Sequence, residues 1–221
     1  MRLSPRLAAL LLSCHWAAPT AAAPPSPGRE LKLDVHNFEV VERDSGPVTY
    51  YKFVSEDGAK LVRAQYRPPL ETVTLGMPIP DEVRSRVRML KWRWRVLTFP
   101  AGADECIDGK SDSAAGVFIT FKRGLKYYII KYAWTTQGPS GRVCSKKTRN
   151  MFIVRDTIVL EADGPINRWI EEKIDPKLEF VRHFGGTLDE VPDLVGIGLM
   201  TDGDQTKSRS EADYADFTVA T

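Results

Sequence analysis

The sequence predicts a mostly β fold, an antiparallel β-sandwich of jelly-roll type that carries one short α-helix near Asp175–Phe184. Three observations predict it. About nine or ten short runs rich in β-branched and aromatic residues are separated by Gly, Pro and Asp clusters. One of these runs alternates strictly between apolar and charged residues, the period of a strand with one face buried. Helical spacing occurs in a single segment, so the helices that a parallel α/β sheet needs between its strands are missing.

The elements follow in order. Val48–Val54 and Leu61–Tyr66 are β-type runs separated by the turn Glu56-Asp57-Gly58, and Thr72–Leu75 is a third. Pro78, Pro80 and Asp81 open a segment to Val87 with room for one helical turn. In Leu90–Val96, Leu90, Trp92, Trp94 and Val96 share one face and Lys91, Arg93 and Arg95 the other, so the first face is expected buried and the second wet. Val117–Phe121 and Tyr127–Trp134 flank the tight turn Lys122-Arg123-Gly124. Phe152–Leu160, Leu194–Thr201 and Tyr214–Val219 complete the strands. Asp175-Pro176 reads as N-cap and first helical position, Leu178, Phe180, Val181 and Phe184 recur at helical spacing, and Gly185-Gly186 is a stop.

The N-terminus has a basic start, a short apolar run and a small-residue site ending at Ala23, the pattern of a secretory signal over residues 1–23. Residues 24–32 read as a linker, and a single domain is expected over residues 33–221. The chain is then exported, to the periplasm or the cell exterior. Leu11-Leu12-Ser13-Cys14 offers a competing processing site, at which a lipidated Cys14 anchors the protein peripherally to a membrane and Ala17–Gly28 serves as tether. The formal charge is +2, and loss of Arg2 and Arg6 with the leader leaves 29 basic against 29 acidic residues. A neutral mature chain has no whole-protein electrostatic footprint for nucleic acid or an anionic membrane, although basic clusters can exist locally. Of the cysteines, Cys106 and Cys144 remain, and in an exported chain one disulfide between them is the simplest use; two free thiols are the alternative.

No nucleophile elbow for a hydrolase is present, and His36 and His183 have no partner motif, so no catalytic residue is assigned. Glu171 and Glu172 are adjacent and point to opposite faces of a strand, which is poor geometry for a glycosidase pair. The stretch Met200–Thr206 places Asp202 and Asp204 two apart around a glycine, with Asp216 downstream. These are hard-oxygen candidates for calcium, although the register is not that of an EF-hand, and a solvated Asp/Gly turn explains the same residues. Aromatic side chains with interleaved polar groups suit stacking on sugar rings if one sheet face is solvated. The candidates for such a ligand surface are Trp134, Trp169, Asp112 and Arg95.

Leu61–Pro68, Leu90–Val96, Asp112–Val117, Tyr132-Ala-Trp134 and Gly198–Thr206 together resemble, in order, the bacterial exported family catalogued as domain of unknown function 3047. The resemblance covers about Phe38 to Phe217. It implies a jelly roll similar to galactose-binding-like and carbohydrate-binding modules, and it implies Arg where Lys173 stands. It supplies no activity. The expected function is therefore a non-catalytic binding module for a glycan or cell-envelope ligand, assisted by calcium. Two alternatives are a hydrolase of envelope glycans or esters using Asp112, Glu172, Asp202 and Asp204, and a structural or assembly protein of the envelope that uses an exposed sheet edge.

Overall fold

The computed structural model describes residues 28–43, 49–144 and 148–221. The expected leader, with Cys14, and most of the linker lie outside the described residues. Among these residues thirteen strands form two sheets packed face to face. In chain order they are β1 Glu30–Lys32, β2 Glu39–Arg43, β3 Tyr51–Glu56, β4 Ala59–Tyr66, β5 Val73–Pro78, β6 Met89–Thr98, β7 Ala115–Arg123, β8 Lys126–Thr135, β9 Thr148–Arg149, β10 Ile153–Ala162, β11 Ile170–Ile174, β12 Asp193–Met200 and β13 Ser210–Ala220. One α-helix, α1, spans Pro176–Phe184. The first sheet has the order β11-β6-β13-β4-β3, with β1 also on β13; the second has the order β2-β5-β12-β7-β8-β10-β9. The architecture is the jelly-roll sandwich that the sequence predicts.

Strand β6 shows why the sheets pack as they do. Leu90, Trp92, Trp94 and Val96 are fully buried between the sheets, each stabilising the fold by roughly 1.5–3 kcal/mol. The rings continue from one sheet to the other: Trp92 meets Trp94 at 5.7 Å and Tyr132 at 5.8 Å, and Trp94 meets Trp134 at 5.6 Å. Helix α1 closes one end of the sandwich. Asp175 caps it by accepting from the Lys177 and Leu178 amides at 2.9 and 3.3 Å, which stabilises the helix by about 1 kcal/mol. Phe180 packs on Phe121 and Tyr128.

Four expectations are corrected. The second sheet is mixed, because β10 runs parallel to β8. No tight turn joins these strands; the excursion between them takes 17 residues, 136–152, and a parallel pair requires such a long connection. On its way that excursion runs beside β10, where Arg142 and Cys144 bond to Val159 and Thr157, and Cys144 forms a disulfide with Cys106 across 38 residues of sequence. In the chain-entropy account a loop of that length contributes roughly 3–4 kcal/mol. The domain also begins before Leu33, since Glu30–Lys32 pairs with Thr218–Ala220. Asp81–Arg86 forms turns rather than helix. Finally, the charged face of β6 is not uniformly wet: Arg95 is only 7% exposed, because carboxylates on neighbouring strands hold it.

Candidate functional site

The outward face of the second sheet forms a groove of about 710 Å³. Alternation sends Val117, Ile119, Leu75, Ile197 and Ile130 inward to the core, so the residues between them face outward. Ladder registers align them in three rows across the sheet. One row reads Thr74, Met200, Gly116, Ala133; the next Gly76, Gly198, Phe118, Lys131; the third Pro78, Gly196, Thr120, Ile129, Arg155. Gly76 and Gly198 stand directly opposite each other; the Val41 side chain packs over Gly76, where a Cβ would fall 2.7 Å from its Cγ1, so the low part of the trough is at Gly196 and Gly198. A Cβ at Gly198 would sit 3.3 Å from the Leu75 carbonyl oxygen and the Phe118 Cβ, so a side chain there is tightly opposed. Phe118, Tyr127, Ile129 and Met200 give the groove its apolar surface, while Thr74, Thr120 and Arg155 add hydrogen-bonding groups.

Immediately beyond Met200, the loop between β12 and β13 brings three carboxylates together. One oxygen from each of Asp112, Asp202 and Asp204 lies within 4.8 Å of the other two. Asp112 is 0% and Asp202 3% exposed, whereas Asp204 reaches solvent. Asp112 accepts from the Thr206 amide at 2.7 Å, its hydroxyl at 2.6 Å and the Gln205 amide at 3.3 Å. Asp202 accepts from the Ser113 amide at 2.7 Å. Gly203 is required here by close approach, because a Cβ would fall 2.2 Å from the Ser208 carbonyl oxygen. Burial pushes the carboxyls of Asp202 and Asp204 up, and the neighbouring Asp112 adds to both shifts. Lys131, fully enclosed and paired with Glu105 at 2.8 Å, opposes the shift at Asp202.

The structure thus joins Asp202 and Asp204 to Asp112, and it separates them from Asp216. Asp216 lies on a bulge of β13 at φ 56° and pairs with Lys32 and Arg93 in the other sheet, so it is withdrawn from the metal set. The expected ligand surface is likewise corrected. Trp134 is a core side chain whose Nε1 donates to the Asp163 carbonyl oxygen at 2.7 Å. Asp112 is enclosed beneath the loop. Arg95 is tied to Asp213 and Glu56, and the half-buried Trp169 stacks with Arg95 and Arg93 at 4.7 and 5.2 Å, in the other sheet from the groove. His183 is packed against Asp156 and Glu179, and His36 stacks on Phe53.

Two features escaped the sequence. The groove residues are small or weakly patterned, and only the two-residue alternation of Gly196 and Gly198 hinted at them. The second is a carboxyl pair at the open edge of the sandwich. Glu172, on the inward face of β11, meets Glu161 and accepts from Trp94 Nε1 at 3.2 Å; burial, then Glu161, pushes its carboxyl up to about 7.

The two sheets, the groove and the carboxylate loop define a jelly-roll β-sandwich with a surface trough. Residues 37–218 match the family model described as "Protein of unknown function (DUF3047)", and the chain belongs to that family. No curated protein matches it. Among solved structures, it is similar to the family 11 carbohydrate-binding module of the cellulosomal cellulase Lic26A-Cel5E of Clostridium thermocellum, at 13% identity and a TM-score of 0.45 over 88% of this chain and 96% of that one. It is also similar to the xyloglucanase domain of NopAA, a type three effector from Sinorhizobium fredii, at 9% identity and TM-score 0.44 over 90% and 99%. The endoglucanase Cel12A from Rhodothermus marinus aligns at 9% identity and TM-score 0.43 over 87% and 95%. With values this low, function has to be read from the chain's own residues.

Proposed function

We propose that the protein is a non-catalytic binding module that takes a glycan or related cell-envelope polymer in the groove of the second sheet, with calcium held by Asp112, Asp202 and Asp204. The observation that carries this reading is the trough itself. Its floor at Gly196 and Gly198 admits a flat ring, its aromatic and aliphatic walls suit the apolar face of a sugar, and Thr74, Thr120 and Arg155 are placed for hydroxyl groups. The carboxylate loop abuts this groove through Met200. Three acids at short range, two of them buried, are relieved by a divalent cation with oxygen preference.

The same geometry disfavours the alternatives. Asp112, Asp202 and Asp204 converge, but the first two lie under their loop, away from any substrate. Glu172 and Glu161 are in direct contact, whereas retaining glycosidases hold their carboxyls about 5–5.5 Å apart to flank the sugar. At two of the four sheet edges assembly meets a short or charged strand: β9 has two residues, and β11 directs Glu171 and Lys173 outward.

The test is affinity electrophoresis and glycan-array binding with the full chain. Retardation by at least one polysaccharide is expected, and Gly196→Leu, which fills the trough, is expected to abolish it while leaving the melting temperature close to that of the wild type. If no glycan binds above background, the glycan assignment is withdrawn.

A further inference from the structure

The balance of charge over the whole chain conceals a strong local asymmetry. Between Asp112 and Asp156 the sequence holds nine Lys and Arg residues and not one Asp or Glu. The fold concentrates part of this charge at one end of the second sheet, where two loop tips lie side by side. One is the β7–β8 turn, Arg123-Gly124-Leu125-Lys126. The other is Asn150–Ile153, tightened by the Asn150 side chain, which accepts from the Phe152 and Ile153 amides at 2.9 and 2.7 Å. The tips are joined where the Tyr127 amide donates to the Phe152 carbonyl oxygen at 2.7 Å.

Both tips present apolar side chains to solvent. Leu125 and Met151 are each 79% exposed and Phe152 is 52% exposed, with Ile153 beside them. Basic groups surround this apolar crest. The ammonium groups of Lys122 and Lys126 rest over the rings of Tyr127 and Tyr128 at 5.2 and 5.4 Å, contacts that leave their charge unneutralised. Neither lysine, nor Arg155 on the adjacent strand, has a carboxylate partner among the described residues. Arg149 is engaged by the buried Asp156, and Arg123 donates to the Glu190 carbonyl oxygen. The acid nearest in register is Asp193, opposite Lys122 in the ladder, and it is drawn to Arg84 at 3.7 Å.

We infer that these paired tips dock the protein on the surface of an anionic lipid bilayer. The lysines meet the phosphate layer, and Leu125, Met151 and Phe152 enter the boundary between headgroups and acyl chains. The apolar crest decides the choice of partner. An acidic polysaccharide or a nucleic acid would use the charges alone, while a bilayer uses the crest and the charges together. The mode is peripheral, since no helix among the described residues is long and apolar enough to cross a membrane. This surface adjoins the trough at Tyr127 and Arg155, but Lys122, Lys126, Leu125 and Met151 do not line the trough, so substitutions at the tips test docking apart from groove binding.

The experiment is co-sedimentation of the full chain with phosphatidylcholine vesicles, with and without about 30% phosphatidylglycerol. Binding to the anionic vesicles is expected, with little to the neutral ones, and it should weaken steeply on raising salt to about 0.5 M. Lys122→Ser with Lys126→Ser should weaken binding about fivefold per charge removed. Leu125→Ser with Met151→Ser should weaken it about tenfold or more. Ile166→Ser, at an exposed apolar residue in another loop, should change nothing. All the substituted side chains are on the surface, and unchanged melting curves will show that the variants are folded. The proposal is overturned if anionic vesicles are not bound, if neutral vesicles bind equally, or if wild-type binding survives either loop-tip pair. Loss through the lysines alone would identify a polyanion surface rather than a membrane one.

Discussion

The guanidinium of Arg95 is held between the ring of Trp169, whose centroid is 4.7 Å away, and the carboxylate of Asp213, 2.8 Å from its Nε. Asp213 is fully buried and has one further cation, Arg63, at 2.9 Å. Breaking such a group from one side leaves an undercompensated charge in a poorly solvated place. Arg95→Met is therefore expected to cost about 3 kcal/mol, a fall in melting temperature of roughly 6–12 °C for a domain of this size. Replacing Arg95 and Asp213 together by apolar residues should recover much of the loss. A thermal-melt cycle checks both, and additive losses would mean that the pair is not a unit.

Glu172 links stability to pH. Its carboxyl is raised from 4.5 to about 7 by burial and by Glu161, so the folded state favours the protonated form. Between those values the folded chain binds more protons than the unfolded one. This contribution is complete below about pH 4.5 and is lost as the pH rises through 7. Glu172→Gln keeps an acceptor for Trp94 and a donor for Glu161 without the ionisation. Allowing for the partial exposure of the group, the variant should melt about 2–4 °C above wild type at pH 8, and the difference should shrink towards pH 5. A difference that does not change with pH would sink the shared-proton account.

Calcium at Asp112, Asp202 and Asp204 makes a thermodynamic prediction. An ion bound only by the folded state, at a hundred times its dissociation constant, stabilises by about 2.7 kcal/mol. The melting temperature should then rise by roughly 5–10 °C in calcium and return on adding chelator. Asp204→Asn, at the exposed member of the set, should remove the response to calcium without lowering the melting temperature of the calcium-free protein. Equal curves with and without the ion would exclude the site.

The sequence made the buried strands readable because burial imposes a pattern. Leu90–Val96, Val117–Phe121 and Tyr127–Trp134 all carry aromatic or β-branched residues that only a sheet core explains, and Asp175-Pro176 marked the helix start. The strands that escaped notice, β1, β2, β9 and β11, are short and lie at edges or ends, where water is accepted and no alternation is enforced. Arg95 misled for a related reason: its partners Asp213 and Glu56 come from other strands, and strand period alone cannot distinguish an ion pair under Trp169 from a solvated arginine. The acidic loop was legible as Asp202 and Asp204, but its third member, Asp112, is about ninety residues upstream and joins only through register.

Strand β13 is the one element of the first sheet with strands along both sides of most of its length: β6 flanks it on one side, with β4 and β1 sharing the other. Residues 210–220 are therefore the keystone of that layer, and β4 has no route to β6 without them. Any process that delivers the chain N-terminus first, by synthesis or by threading through a pore, leaves Trp92, Trp94 and Tyr66 without their neighbours until this stretch arrives. Folding of the sandwich then waits for residues 210–220, and a chain cut before Ser210 should remain open and exposed to proteases.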